Sequence, residues 1–291
     1  MTGKIKNDVI KHEVVINTAL VSIVIPTKDS GRVLHKCLDS LMTQTYQHFE
    51  ILIVDKRSTD DTISIADEFK ARIFSLDLER TSAKNFASRK ANGTFILFLD
   101  SDMVLEPTVI EQCVKAMQAS DVGGIVIPEK SAGAGVGFWG KVREFERSFY
   151  YGTKVESARF FRTKQVIEVG GFDEEVVMYE ESTLPQRIEK IGLKTSARVS
   201  SFIIHDEGNF KLKSWLRKKR YYSQTLKIYA QKYKSYSQQQ LGVGHRTDIY
   251  IRNKNWITLM KHPILSTGLL ILKSLEFFVS KNKSTLLKDY W

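Results

Sequence analysis

Phe95-Ile96-Leu97-Phe98-Leu99-Asp100-Ser101-Asp102 is the stretch from which the rest of this sequence is read. Five apolar residues without polar alternation fit a strand buried on both faces, as in parallel sheets covered by helices. The run stops on two carboxylates, and open α/β sheets gather ligands outside the carboxyl ends of their strands. Hard oxygen donors there suit Mg²⁺ or Mn²⁺, cations that commonly hold a diphosphate. Asp-x-Asp also closes ordinary acidic turns, so the triplet takes its meaning from its surroundings.

Upstream, strand and helix patterns alternate. Strands are expected at 21–25, 49–55, 72–76 and 95–99, and helices at 33–44, 62–70, 81–91 and 107–119. Pro107 fits the first turn of the last of these. A further strand is expected at 123–127. Repeated β-α-β with nearly all-apolar strands implies an α/β fold with a mainly parallel sheet and helices on both faces. Residues 1–20 show no clear period and read as an extension. Residues 21–210 read as one domain, and 211–291 as a basic, helical C-terminal region. Gly135-Val136-Gly137-Phe138-Trp139-Gly140 matches GxGxxG literally, but it does not open the first βα unit and reads as a loop.

At 291 residues, with 42% hydrophobic and 26% charged residues, the composition is that of a globular protein. Cys37 and Cys113 lack metal-ligand spacing and read as buried hydrophobes in a reducing compartment. No apolar leader is apparent at the N-terminus. The net charge of +11 is unevenly spread. Residues 1–210 carry 27 Lys/Arg against 30 Asp/Glu, a balance of −3; residues 211–291 carry 17 against 3, a balance of +14. Such asymmetry implies an acidic partner.

Four segments, taken in order, carry a resemblance. They are Val21-Ser22-Ile23-Val24-Ile25-Pro26-Thr27, and Glu50 to Asp55 followed by Ser58-Thr59-Asp60. Then come Ala83-Lys84-Asn85 through Gly93 into Asp100-Ser101-Asp102, and Gly170-Gly171-Phe172-Asp173-Glu174 with Glu180-Glu181 and Arg187-Ile188. This order and spacing resembles glycosyltransferase family 2, inverting enzymes of the GT-A (Rossmann-like) fold that use nucleotide-diphospho-sugars. The resemblance spans about residues 20–210. It implies that Pro26, Thr27 and Asp55 contact the base and ribose, and that Asp100, with Ser101 beside it, faces the ribose or the metal. It further implies that Asp102 ligates Mn²⁺ or Mg²⁺. The acceptor-side base falls at Glu180-Glu181, with Glu181 where the family commonly has aspartate. His205 matches a late histidine that contacts the metal or the diphosphate.

Several positions also have plainer readings. Lys84 either pairs with phosphate or lies on a solvated helix face. Asn85 either bonds the base or caps a turn. Asp60 is an N-cap or a ligand, His205 a ligand or a strand-end histidine, and Asp173 and Glu174 shape a turn. Asp55-Lys56-Arg57-Ser58 departs from the family's common Asp-Asp-Gly-Ser. The Gly133–Tyr151 segment and Arg159-Phe160-Phe161-Arg162 are expected to shape the acceptor side.

In the tail, 211–220 holds six cations with Trp215 and Leu216 between them, and Tyr221, Tyr222 and Tyr229 follow. This fits a helix on an anionic membrane surface, or alternatively a solvated lid. No groove-reading motif supports nucleic acid as the partner. Residues 263–280 are strongly apolar, but only 11 residues separate Lys261 from Lys273. The expectation is therefore an in-plane interfacial helix with a polar stripe at Ser266, Lys273 and Ser280, not a membrane span. Packing on the catalytic domain or another subunit is the other reading.

The sequence thus points to a metal-dependent inverting glycosyltransferase that moves a sugar from a nucleotide-diphospho-sugar to a glycan or lipid-linked acceptor. It would be cytoplasmic and peripheral on a membrane. The alternative is a non-catalytic scaffolding protein on the same fold.

Overall fold

The computed structural model describes residues 19–132, 137–153, 155–241 and 243–281. The expected extension at 1–20 and Gly135-Val136 of the GxGxxG match lie almost wholly outside the described residues, whereas Gly137 to Gly140, expected in a loop, open a helix. In chain order the elements begin β1 (Val21–Thr27), α1 (Gly31–Met42), β2 (Phe49–Asp55), α2 (Thr62–Glu68), β3 (Arg72–Ser75), α3 (Arg80–Ser88) and β4 (Phe95–Phe98). Next are β5 (Met103–Leu105), α4 (Val109–Ala116), β6 (Gly124–Val126), β7 (Glu129–Ala132), α5 (Gly137–Ser148), β8 (Ala158–Arg162) and α6 (Thr163–Glu168). A 3₁₀ turn (Glu180–Ser182) leads to α7 (Thr183–Lys190), β9 (Ala197–Arg198) and β10 (Ile203–Asp206). The chain continues through α8 (Leu212–Tyr222), α9 (Leu226–Lys232), α10 (Lys234–Leu241), α11 (Val243–Ile251), α12 (Asn255–Lys261) and α13 (Pro263–Lys281).

Two compact units interleave along the chain. The first holds the described residues up to Pro128, Ser157–Phe172 and Leu184–Ile203; the second holds Glu129–Glu156, Asp173–Thr183 and the residues from Ile204 onward.

The first unit is built on a seven-stranded sheet, ordered β3-β2-β1-β4-β8-β6-β9. β1 pairs in parallel with both β2 and β4, and β2 with β3. Successive side chains of the apolar runs go to opposite faces, and both faces are buried. Ile23, Ile25, Leu97 and Phe160 pack with Leu34 and Leu38 of α1 and with Val109 and Cys113 of α4. Val24, Leu52, Phe98 and Phe161 pack with Ala83 and Ala87 of α3, Val166 of α6 and Ile188 of α7. Two-sided burial explains why the strands lack alternation. Cys37 and Cys113 are free and buried, as expected, and burial pushes both thiols far up.

Of the strands that were not anticipated, β8 bears most on the site. β8 runs antiparallel between β4 and β6, with Ile96 opposite Phe161 and Ile125 opposite Phe160. Arg159 and Arg162 bracket its apolar pair, leaving too short a run for periodicity to register. Phe160 and Phe161 are fully buried, one on each face of the sheet, so they belong to the core and not to an acceptor surface.

In the second unit α13 lies on α5. A Cβ at Gly268 would stand 2.6 Å from Val142 Cγ2, so the glycine permits this close approach. Val142, Phe145, Phe149, Ile249, Leu269 and Leu272 form the core. Charged groups are also buried: Arg143 bonds Glu146 at 2.7 Å and Glu207 at 3.1 Å, and Lys273 reaches Glu146. Burial pushes the Glu146 carboxyl up, but the Lys273 ammonium and Arg143 guanidinium outweigh it and hold the group well below the usual range.

One expectation for the tail is corrected here. Tyr229 faces no surface: it is fully buried, stacked between Tyr179 and Tyr233 with ring centroids 5.3 Å away on each side. Residues 263–280 form one continuous helix, long and apolar enough by length and composition to cross a membrane. Lys273 and Glu276 do not break it, because both side chains turn into the unit and find ionic or hydrogen-bonding partners there.

Candidate functional site

The parallel register of β1 and β2 sets Thr27 opposite Asp55. Thr27 Oγ1 donates to Asp55 Oδ1 at 2.8 Å, and the Ser58 N–H donates to Asp55 Oδ2 at 2.7 Å. Asp55 is fully buried, so it braces the strand ends and the loop behind them. Pro26, beside Thr27, is half-buried. Asp60 caps: its carboxylate accepts the Gly31 N–H at 2.9 Å and the Thr62 N–H at 3.1 Å, holding the starts of α1 and α2. Arg57 sits at φ +51°, in left-handed backbone. The glycine of the resembling pattern would suit this position, so the departure keeps the backbone shape and adds an exposed cation.

Asp100-Ser101-Asp102 forms the turn between β4 and β5, closed by the Met103 N–H on the Asp100 carbonyl at 3.1 Å. Two cations flank Asp100. Lys84 Nζ stands 3.9 Å from Oδ1, and Arg159 Nη1 stands 3.3 Å from Oδ2. Lys84 is only 2% exposed, on the inner side of α3, so it does not lie on a solvated helix face. Its ammonium also lies 5.4 Å from the Phe172 ring centroid. Ser101 Oγ donates to Ser30 Oγ at 3.1 Å, tying the turn to the start of α1. Asp102, with Asp100, lies close enough to the buried Cys37 to help burial raise its thiol.

Asn85 is bound at both ends of its amide by Phe172. Its Nδ2 donates to the Phe172 carbonyl at 3.0 Å, and its Oδ1 accepts the Phe172 N–H at 2.8 Å. Gly171 approaches so closely that a Cβ there would stand 2.2 Å from Asn85 Oδ1. These bonds make Asn85 a clamp between α3 and the Gly170-Gly171-Phe172 turn.

Glu180 and Glu181 lie in the second unit, on the 3₁₀ turn that opens α7. Glu180 is 2% exposed and Glu181 half-buried. Pro185 falls in the first turn of α7, where it costs no hydrogen bond. The pair follows Tyr179, whose backbone is left-handed at φ +64°, a strained conformation for a tyrosine. The surrounding packing holds that strain. Tyr229 Oη donates to Gln240 Oε1 at 2.5 Å, and Gln240 Nε2 donates to Ser182 Oγ at 3.0 Å. Asp173 takes the Tyr233 hydroxyl at 3.0 Å and Lys232 at 3.2 Å. Burial raises its carboxyl, but the Glu175 N–H, Tyr233 and Lys232 together hold it below the ordinary value. Tyr229, Tyr233 and Gln240 were missed by sequence reasoning, because a tyrosine-rich stretch among lysines reads as a surface.

His205 lies on β10 in the same unit. Its Nδ1 is 3.3 Å from Arg147 Nη2 and 3.7 Å from a Glu129 oxygen, inside a charged cluster. Among the described residues no three His, Cys, Asp or Glu side chains converge as a metal site. Of the expected set, Asp100 and Asp102 share one turn of the first unit, and His205 belongs to the second. The donor chemistry still fits Mg²⁺ or Mn²⁺, since Mg²⁺ usually takes one or two protein carboxylates and completes its shell from phosphates and water.

Comparison with known proteins agrees with this architecture. The model of Glycosyl transferase family 2 matches residues 22–172. The O-antigen biosynthesis protein RfbC of Myxococcus xanthus is 30% identical over 223 residues, covering 65% of this chain and 17% of that protein. Glycosyltransferase GlyG of Streptococcus pneumoniae is 32% identical over 114 residues, 37% of this chain and 38% of that protein. The chain therefore spans well under half the length of either relative. Among solved structures, mannosyltransferase PcManGT from Pyrobaculum calidifontis, in complex with GDP-Man and Mn²⁺, superposes with a TM-score of 0.59 at 15% identity. That match covers 92% of this chain and 87% of that one. S. aureus TarS 1-349 in complex with UDP-GlcNAc gives 0.52 at 16% identity, over 71% and 66% of the two chains. These likenesses establish the GT-A fold. With the ordered motifs, the sheet and the family match in agreement, this chain belongs to glycosyl transferase family 2.

Proposed function

We propose that this chain transfers a sugar from a nucleotide-diphospho-sugar to an acceptor hydroxyl or lipid phosphate, with inversion, in the synthesis of a cell-surface glycan or glycolipid. The observation that carries this reading is the Asp100-Ser101-Asp102 turn at the carboxyl end of β4, with Lys84 and Arg159 on Asp100. The donor class is supported by family membership and by the GDP-Man and UDP-GlcNAc complexes of the structural neighbours. The name of RfbC supports a role in surface glycan synthesis.

Asp102 and Asp100 would hold Mn²⁺ or Mg²⁺, which neutralises charge on a departing diphosphate. Lys84 and Arg159 fix the Asp100 carboxylate and supply positive charge beside it. Thr27 and Asp55 hold the strand ends that receive the base and ribose. Glu181 accepts the proton of an acceptor hydroxyl, whose oxygen bonds to the anomeric carbon as the bond to the diphosphate breaks. Glu180 keeps the turn in place from its buried position. A lipid phosphate acceptor is already anionic and needs no such base.

A thermal-shift panel of UDP, GDP and dTDP, with their sugar forms, tests the reading with Mn²⁺ and with EDTA. One nucleotide series should stabilise the protein only when the cation is present, by about 2.7 kcal/mol at a hundredfold excess over Kd. No stabilisation by any nucleotide diphosphate would overturn the donor assignment and favour a scaffolding role. Stabilisation unaffected by EDTA would remove the metal.

A further inference from the structure

The helix α13 is inside out for a helix in water. A surface helix normally turns its charges to solvent and its apolar face inward. Here the two ionic side chains described in α13 point into the protein. Lys273 pairs with Glu146, and Glu276 accepts the indole N–H of Trp215 from α8. Ser266, the first residue of the polar stripe, donates to the Leu259 carbonyl at 2.7 Å. The exposed arc is apolar: Ile264 is 73% exposed, Leu270 70%, Ile271 47% and Phe278 63%. Only Thr267 and Ser274 lie among them, and both hydroxyls are spent on carbonyls of the same helix, those of Pro263 and Leu270. Ile264, Ile271 and Phe278 recur every seventh residue, so the arc is one continuous stripe.

On α12, which packs against α13, Trp256 is 53% and Met260 75% exposed. Exposed Lys254 and Lys261 stand at the two ends of α12. On α8, Lys213, Arg217 and Arg220 are also exposed and form no ion pair among the described residues. A broad apolar face marks an interaction site. A tryptophan and lysines bordering such a face are what an anionic bilayer surface takes up.

We propose that the α12–α13 face seats in an anionic lipid bilayer, with α13 lying in the plane of the interface. The apolar side chains enter the acyl boundary while the basic residues of α8 and α12 meet the headgroups. Length alone would allow α13 to cross, but one side of it is packed on α5 and α8. Exposed cations on α8 must stay in water or at headgroups, so lipid covers only the outer arc. This surface is independent of the reaction assigned above, and its test does not depend on activity.

The test is co-flotation of the full chain with phosphatidylcholine vesicles, with and without phosphatidylglycerol, beside the triple variant Ile264→Ser, Leu270→Ser, Phe278→Ser. These side chains are exposed, so the variant should fold, which circular dichroism verifies. The native chain should float with the anionic vesicles, less with neutral ones and less in high salt. The triple variant should partition on the order of tenfold more weakly. Lys254→Glu with Lys261→Glu should weaken flotation on anionic vesicles alone. A native chain that floats with neither vesicle overturns the proposal, as does a triple variant that floats equally well. A stable dimer that the triple variant turns into a monomer, without flotation, would assign the face to a second copy of the chain.

Discussion

Replacing Gly171 by alanine should cost far more than its place in an exposed-looking turn suggests. Gly171 has φ +70°, a conformation that costs an L-residue about 1–2 kcal/mol. The new methyl would also stand 2.2 Å from Asn85 Oδ1, so the Asn85 amide must move. Moving it breaks two buried hydrogen bonds, to the Phe172 N–H and carbonyl, each worth about 1 kcal/mol. The expected loss is about 3–4 kcal/mol, a large share of a typical stability of 5–15 kcal/mol. Gly192→Ala is the control, with φ +88° and nothing within 4 Å of the added Cβ, and should cost only the backbone term. The assay is urea unfolding followed by circular dichroism, since Trp139, Trp215 and Trp256 all report the second unit. In an Asn85→Ala background the cost of Gly171→Ala should fall to that of Gly192→Ala, because the clash partner is gone. An undiminished cost in that background would refute the clamp.

Asp102→Asn should abolish cation-dependent stabilisation by nucleotide diphosphates while leaving the unfolding midpoint nearly unchanged, as read by thermal shift. Glu181→Gln should lower kcat about 10²–10⁴-fold with a hydroxyl acceptor; full activity would remove the base assignment. The Glu146 carboxyl is held below its ordinary 4.5 in the folded state, so the folded chain binds fewer protons there than the unfolded chain. Its contribution is complete above about pH 4.5 and is lost as pH falls towards the folded-state value. Tryptophan-detected urea midpoints of the second unit should drop across that range. A Glu146→Gln variant, already destabilised by about 3–5 kcal/mol through its uncompensated cations, should show a flatter dependence.

The sheet was legible because two-sided burial writes itself into a strand as an unbroken apolar run, as at Val21–Ile25 and Phe95–Leu99. β8 was not, because its last four residues place two phenylalanines between arginines whose partners lie far away in sequence. Asp100 and Lys84 could be picked out by their spacing, but their mutual approach could not, nor could Arg159 as the second cation. The clamp on Asn85 depends on a glycine 86 positions later, a distance over which no local pattern reports. The tail misled for a physical reason. Charge and aromatic content predict exposure on average, yet Tyr229 and Glu276 are buried because tyrosine stacks and an ion pair satisfy them inside. The polar stripe of α13 was legible from its period, but not that Lys273 and Glu276 turn into the unit to find partners.

The family match ends at Phe172, whereas Glu180-Glu181 and the tyrosines and glutamine that hold them come later in the chain. An engineer wishing to move the glutamate turn into a relative could not therefore transplant the pair alone. The left-handed Tyr179 would relax without the stacked rings and the Gln240 amide behind it. The helices α9 and α10, which carry those rings and that amide, would have to move with the pair. Substitutions at Tyr229, Tyr233 or Gln240 are thus expected to reach the glutamate turn across nearly fifty residues of sequence.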